Sequence, residues 1–225
     1  MFVFEGKGDM EQLAKKTGKT YEMDMCSGPL FPKIVAFAVP LILSGILQLL
    51  FNAADIIVVG HFAGRESLAA VGSTTALINL MINVFVGLSI GANVLVAQYS
   101  GAKKLKDLEE TVHTAMMIAL AGGFLLIFVG VFFSGPMLGL MGTPDDVLPL
   151  AALYLKIYFI GMPATLTYNF GAAILRAVGD TRRPLYFLLF AGAVNVVLNL
   201  VFVIVFSMGV AGVATATVVS ECISA

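Results

Sequence analysis

Six long apolar runs fill most of this chain, and they constrain its fold more than any other feature. They lie at about 34–60, 67–99, 109–133, 145–175, 185–207 and 210–225. A helix needs about 20 mostly apolar residues to cross a hydrocarbon core of about 30 Å. Polar residues inside the runs recur every three or four positions, as in helices, whereas the strands of a membrane β-barrel alternate in pieces of about ten. The runs predict an all-α integral membrane protein, a six-transmembrane-helix bundle.

The composition and the distribution of charge agree with this prediction. The 225 residues are 59% hydrophobic and 12% charged, against about 45–50% and about 25% for soluble domains. With a cytoplasmic N-terminus, eleven of the 13 Lys and Arg residues fall in cytoplasmic segments. The positive-inside rule therefore predicts a polar cytoplasmic tail at 1–30, followed by a transmembrane unit at 31–225 in the cell membrane.

A single carboxylate, Asp55, interrupts the first apolar run. A charge at membrane depth costs several kcal/mol, so such residues usually face a protein interior and mark a path for an ion or a substrate. Ser44, Gln48 and Asn52 precede Asp55 at spacings of four, four and three. At about 100° per residue, the four side chains share a wedge of roughly 80° on one helix face. This polar stripe predicts a transport path.

Four other runs carry similar stripes, in which the polar residues of each run share one helix face. The stripes comprise Thr75, Asn79 and Asn83; Tyr154, Tyr158, Gly161, Thr165 and Asn169; Asn195 and Asn199; and Thr217, Ser220, Glu221 and Ser224. Interhelical hydrogen bonding alone would explain such residues, and we favour that explanation for the second helix. Together, the other stripes favour a polar cavity whose oxygen atoms suit Na⁺ or a titrating proton.

Three further features leave alternatives open. Glu221 shares a face with Thr217 and either joins the cavity or reaches the cytoplasmic rim. Pro40 and Pro163 each interrupt a long helix and act either as hinges or as packing bends. Lys156 lies about 200° from the tyrosine stripe of its helix, which favours a structural role.

The chain resembles the multidrug and toxic compound extrusion (MATE) family of cation-coupled exporters. The matching segments include "FAVPLILSGILQLLFNAADIIVVGHFAG", "GLSIGANVLVAQYSGAKK", "ILRAVGDTRRP" and "GVAGVATATVVS". The resemblance implies the N-terminal half of a twelve-helix MATE-like fold, with the C-terminal lobe absent. Because the chain stops within its sixth run, the sequence also predicts that it is a fragment.

The resemblance also assigns candidate site residues. Asp55 matches the family's helix 1 aspartate. The cation or proton site around it would comprise Gln48, Asn52, Tyr154, Asn195, Asn199 and Thr217, with Asn169 and Glu221 as candidate additional members. Asn199 stands where several family members carry a second acid, so the choice between H⁺ and Na⁺ stays open.

The predicted function is therefore a secondary active antiporter that exports organic, cationic drugs or toxins in exchange for H⁺ or Na⁺. Its partners would be small molecules, the lipid bilayer, and a missing C-terminal lobe or a second copy. A lipid-linked oligosaccharide flippase is one alternative, disfavoured because the stripes contain no Arg or Lys. A non-transporting scaffold or half-transporter is another. No nucleophile–base pair, metal motif or phosphate loop appears in the sequence, so we expect no enzymatic activity, no cofactor beyond the coupling ion and no nucleic-acid partner.

Overall fold

A computed structural model of the chain describes residues 29–225, so residues 1–28 of the predicted polar tail lie outside the described part. The helices are α1 Leu30–Val58, α2 Arg65–Gly101, α3 Leu105–Leu140, α4 Leu148–Ile160, α5 Met162–Ala177, α6 Arg182–Leu200 and α7 Gly209–Ser224. Helices α1 and α6 each continue into a π-helical turn, Val59–Ala63 and Val201–Val205 respectively. No strand occurs between residues 29 and 225, and the all-α prediction is confirmed.

The predicted spans correspond to helices of three kinds. Helices α1, α2, α3 and α6 are long and apolar enough to cross a membrane, α1 and α6 together with their π-helical turns. Helices α4 and α5 form a fifth candidate span, bent by 52° at a short break. Helix α7 is apolar but has only 16 residues. The six predicted runs are all helical, although they differ in length and continuity.

The break between α4 and α5 falls where the sequence predicts a bend. Pro163 has no N–H to donate to the carbonyl of Phe159. The Gly161 N–H donates to the Tyr158 carbonyl at 3.0 Å, three residues earlier rather than the four of an α-helix. Pro40, in contrast, lies buried inside a continuous α1. The start of α4 also differs from the prediction: the chain first makes a turn at Gly142, whose φ is 73°, and α4 begins only at Leu148.

Close contacts between helices depend on several glycines, three of which bear on the bent span and the site. A Cβ at Gly123 of α3 would overlap the backbone of Pro163 in α5. A Cβ at Gly130 of α3 would overlap Phe159 of α4. Helix α3 can therefore pack tightly along both halves of the bent span. The third glycine, Gly192 of α6, faces α1 and is important for the site described next.

Candidate ion-binding site

The contact between α1 and α6 brings Asp55 beside Asn199. The ring of Phe51 fills the space where a Gly192 side chain would lie, so the two helices approach closely at this point. Phe51 precedes Asp55 by one helical turn, and Gly192 precedes Asn199 by two turns. The contact therefore sets the register of the two helices, and the two polar side chains meet one turn further along α1.

A chain of hydrogen bonds links three helices at this position. The Asn199 Nδ2 donates to Asp55 Oδ1 at 2.5 Å and lies 3.2 Å from Asn195 Oδ1. The Asn195 Nδ2 in turn donates to Thr217 Oγ1 of α7 at 3.4 Å. Asn195 and Asn199 are only 5% and 1% exposed. Of the predicted site residues, the structure thus brings together Asp55, Asn195, Asn199 and Thr217.

One acceptor in this cluster has no donor. The Asn199 Oδ1 is buried and receives no hydrogen bond within the described residues. Leaving a buried acceptor unpaired costs about 1–3 kcal/mol. Nor does any Lys or Arg in the described part of the chain lie within 4.0 Å of the Asp55 carboxylate. A proton on Asp55 or a bound cation would supply the missing positive partner.

A second carboxylate lies in a separate cluster at the break of the bent span. The Thr165 hydroxyl of α5 donates to Glu221 Oε2 of α7 and also lies 3.2 Å from the Gly161 carbonyl. The Tyr158 side chain lies near the same carboxylate. Of the two positions left open by the sequence for Glu221, these contacts favour the one inside the lobe.

The tyrosines of α4 lie near both carboxylates. The rings of Tyr154 and Tyr158 are stacked, with centroids 6.0 Å apart and planes at 28°. Tyr154 is buried and within electrostatic range of both Asp55 and Glu221. The lobe therefore holds two carboxylates, on α1 and α7, that lie near the same aromatic pair.

The remaining predicted site residues lie elsewhere. Gln48 and Asn169 line a cavity between α1, α5 and α6, and Asn52 is exposed without a hydrogen bond to another described residue. The physical reason is distance: a face that runs from Ser44 to Asp55 is roughly 16 Å long. One stripe therefore meets different neighbours at different depths.

One basic residue, Arg176, lines the same cavity as Gln48 and Asn169. The predicted stripes contain no Arg or Lys, and this was the reason for disfavouring an anionic cargo. Arg176 follows Asn169 by seven residues, which is two helical turns, so its α5 position continues the stripe. Extending the stripe by two turns would have found it.

The stripe on α2 does not join either cluster. Thr75, Asn79 and Asn83 are exposed, and the Thr75 hydroxyl donates to the Val71 carbonyl of its own helix at 2.8 Å. The interhelical hydrogen bond of α2 comes instead from Asn93, whose Nδ2 donates to the Ala173 carbonyl of α5 at 2.8 Å. Sequence reasoning missed Asn93, although it is a lone amide in an apolar stretch.

These observations define a class: a polytopic helical membrane protein in which the described helices hold two carboxylates, Asp55 and Glu221, inside one lobe. Residues 40–201 match the MatE family, and the chain belongs to that family. The resemblance noted in the sequence is thereby confirmed.

Comparison with individual relatives shows what fraction of a family member this chain covers. The chain is 32% identical over 203 residues to "Probable multidrug resistance protein YpnP" of Bacillus subtilis (strain 168), covering 89% of this chain and 45% of YpnP. It is also similar to a solved outward-facing multidrug resistance MATE family transporter of the MOP superfamily, with a TM-score of 0.80 and 27% identity. That match covers 85% of this chain and 42% of the solved chain.

An inward-facing structure of such a transporter gives a TM-score of 0.74 at 26% identity, covering 84% of this chain and 43% of the other. The chain thus spans about half the length of the relatives that it matches. It corresponds to the N-terminal lobe of a twelve-helix fold.

Proposed function

We propose that this chain is the N-terminal lobe of an antiporter that exports organic cations in exchange for H⁺ or Na⁺, with Asp55 as the coupling-ion site. The observation that carries the proposal is the Asp55–Asn199 pair, in which a membrane-depth carboxylate with no basic partner in the described lobe adjoins a buried acceptor without a donor. The name of the relative, "Probable multidrug resistance protein YpnP", supports export of drugs.

The chemistry of the pair allows either coupling ion. A proton would neutralise Asp55 and turn it into a hydrogen-bond donor, for which the Asn199 Oδ1 is a ready acceptor. Na⁺ would instead use oxygen ligands, which Asp55, Asn195 and Asn199 offer. In both cases the ion would change the hydrogen bond that joins α1 to α6.

Movement of the lobe would follow from this change. An ion shifts a conformational equilibrium only by its difference in affinity for the two states. The Asp55–Asn199 bond is a polar link in an otherwise largely apolar contact, so its loss or strengthening would bias the position of α1. Pro40 within α1 and Pro163 at the α4–α5 break are the proposed hinges.

The other predicted residues have secondary roles in the proposal. Thr217 and Tyr154 complete the wall of the ion site, and Gln48 and Asn52 line the approach along α1. Glu221 would hold a second proton or cation, since it shares the Tyr154–Tyr158 pair with Asp55. Asn169 lies in the neighbouring cavity, away from the Asp55–Asn199 pair, and has no part in binding the ion in this proposal.

The setting of the lobe is part of the same proposal. The distribution of Lys and Arg favours a cytoplasmic N-terminus in the cell membrane. Many apolar side chains of α1 are uncovered, including Leu49 at 71% exposure. We propose that lipid and a C-terminal lobe, or a second copy, cover this surface.

A liposome experiment tests the proposal. The purified chain is reconstituted with ethidium as the cargo, and an imposed pH or Na⁺ gradient drives dye movement. Asp55→Asn should abolish gradient-driven movement, because the amide cannot exchange a proton and neutralises the site. Asp146→Asn, at an exposed position in the turn before α4, is the matched control and should leave movement unchanged.

Two results would contradict the proposal. Full dye movement by Asp55→Asn would remove Asp55 from the coupling mechanism. If the folded wild-type chain moves no dye under either gradient, alone or mixed with a separately expressed C-terminal lobe, the scaffold alternative is favoured. Circular dichroism of each variant establishes that the helices are intact.

A further inference from the structure

The cavity that contains Arg176 is chemically different from the carboxylate sites. It has a volume of about 410 Å³ and lies between α1, α5 and α6, and small-molecule sites usually have about 300–1,000 Å³. Its walls include the apolar Leu41 and Leu188 as well as Gln48 and Asn169. Arg176 is the one ionisable group with a formal charge at pH 7 among the lining residues, so the cavity carries a single positive charge.

The Arg176 guanidinium has no carboxylate partner in the part of the chain that the structure describes. Its Nε donates to the Ala172 carbonyl at 3.0 Å, which leaves the two terminal nitrogens of the fork for other acceptors. Asp180, four residues further on, is engaged elsewhere. Its carboxylate accepts from the backbone N–H of Arg182 at 3.0 Å and pairs with the Arg183 side chain at 3.1 Å.

The neighbouring polar groups leave few donors for a ligand. The Tyr168 hydroxyl donates to the Pro184 carbonyl at 3.2 Å, and Ser44 donates to the Pro40 carbonyl at 2.8 Å. One N–H of the Asn169 amide is used by the Thr165 carbonyl at 2.9 Å. The Gln48 amide makes no hydrogen bond to another described residue. The open donors therefore include those of Arg176 and Gln48 and the second N–H of Asn169, beside apolar walls.

We propose that this cavity binds the oxyanion of an amphiphilic molecule, a phosphate or a carboxylate attached to an apolar body. A guanidinium fork pairs with such groups through two parallel hydrogen bonds, and the apolar walls accept the body. The competing explanation is that Arg176 only interacts with the carbonyls at the end of α5, where a positive charge is favourable. The proposal goes beyond ion exchange at Asp55 and does not depend on it.

Binding of a fluorescent amphiphile to the purified chain in dodecyl maltoside tests the proposal. The probe is 11-(dansylamino)undecanoate, and its neutral methyl ester is the ligand control. Arg176→Gln should weaken binding of the carboxylate by about tenfold to a hundredfold, the range expected for a lost charge-assisted hydrogen bond. Arg176→Lys should retain more affinity than Arg176→Gln. Arg182→Gln removes an exposed positive charge at the start of α6 and should leave the affinity for the carboxylate probe unchanged.

Competition then identifies the source of the oxyanion. Displacement of the probe by inorganic phosphate would indicate a soluble ligand. Displacement by phosphatidylglycerol but not by inorganic phosphate would indicate a membrane lipid. The proposal is overturned if Arg176→Gln binds as tightly as wild type, if the ester binds as tightly as the acid, or if neither competitor displaces the probe. Because the readout is binding, failure here leaves the Asp55 mechanism intact.

Discussion

Gly192→Ala should push α1 away from α6 and weaken the Asp55–Asn199 hydrogen bond. Three ring atoms of Phe51 lie where the new methyl group would be placed, all of them well inside normal contact distance. Phe51 belongs to α1, and its ring is only partly exposed. Removing the overlap therefore requires either a strained Phe51 side chain or a shift of α1. The substitution thus acts on the site without touching any of its polar groups.

The size of the effect can be worked out from two opposing contributions. Inserting a methyl group into a packed contact costs about 1–3 kcal/mol. Replacing glycine by alanine in a helix returns about 1 kcal/mol. We therefore expect a net loss of about 0–2 kcal/mol in the free energy of unfolding. The coupling free energy between Gly192 and Phe51 should be larger than this net loss, about 1–3 kcal/mol, because the helix-propensity gain cancels in a double-mutant cycle.

The assay is unfolding of the purified chain in dodecyl maltoside with rising sodium dodecyl sulfate, followed by far-ultraviolet circular dichroism. The cycle combines Gly192→Ala with Phe51→Ala, which removes the ring. Gly171→Ala is the matched control, since a Cβ at Gly171 would meet no atom within 4 Å. If the coupling is below about 0.5 kcal/mol, sites behave as independent, and the contact does not hold the two helices in register.

Three further substitutions test individual contacts. Asn199→Asp places a second carboxylate beside Asp55. Replacing choline by Na⁺ should therefore raise the thermal unfolding midpoint of this variant more than that of wild type. An equal rise in both proteins would refute this expectation. Asn93→Leu should cost about 0.5–1.5 kcal/mol in the same unfolding assay because it removes the hydrogen bond between α2 and α5, whereas the exposed Asn83→Leu should stay within about 0.5 kcal/mol. Asp180→Asn weakens the acceptor for the two N–H groups that begin α6 and should cost about 1–3 kcal/mol; no change would mean that water replaces the carboxylate.

Much of the Asp55 cluster was predictable because its members obey local periodicity. Asn195 and Asn199 are four residues apart, so any helix places them on one face. Thr217 and Asp55 were assigned to the same cluster through the family resemblance, and the structure brings all four together. The functional role of the cluster remains a prediction.

Other residues could not be placed from the sequence because their neighbours lie on other helices. Gln48 shares the Asp55 face of α1 but meets α5 and α6 at a different depth. Glu221 is close to the end of the chain, and only the Thr165 hydroxyl and the Tyr158 side chain of the bent span place it inside the lobe. Arg176 falls just beyond the predicted fourth run, which ends at about 175, yet it lines a cavity.

The sequence by itself determined the membrane class and the six helical runs, because hydropathy and periodicity act within one segment. The tertiary structure decided which polar faces meet. That choice depends on the rotation and depth of each helix, which are set by close contacts such as Phe51 on Gly192. Those contacts separate the polar residues into an Asp55 cluster, a Glu221 cluster and an Arg176 cavity.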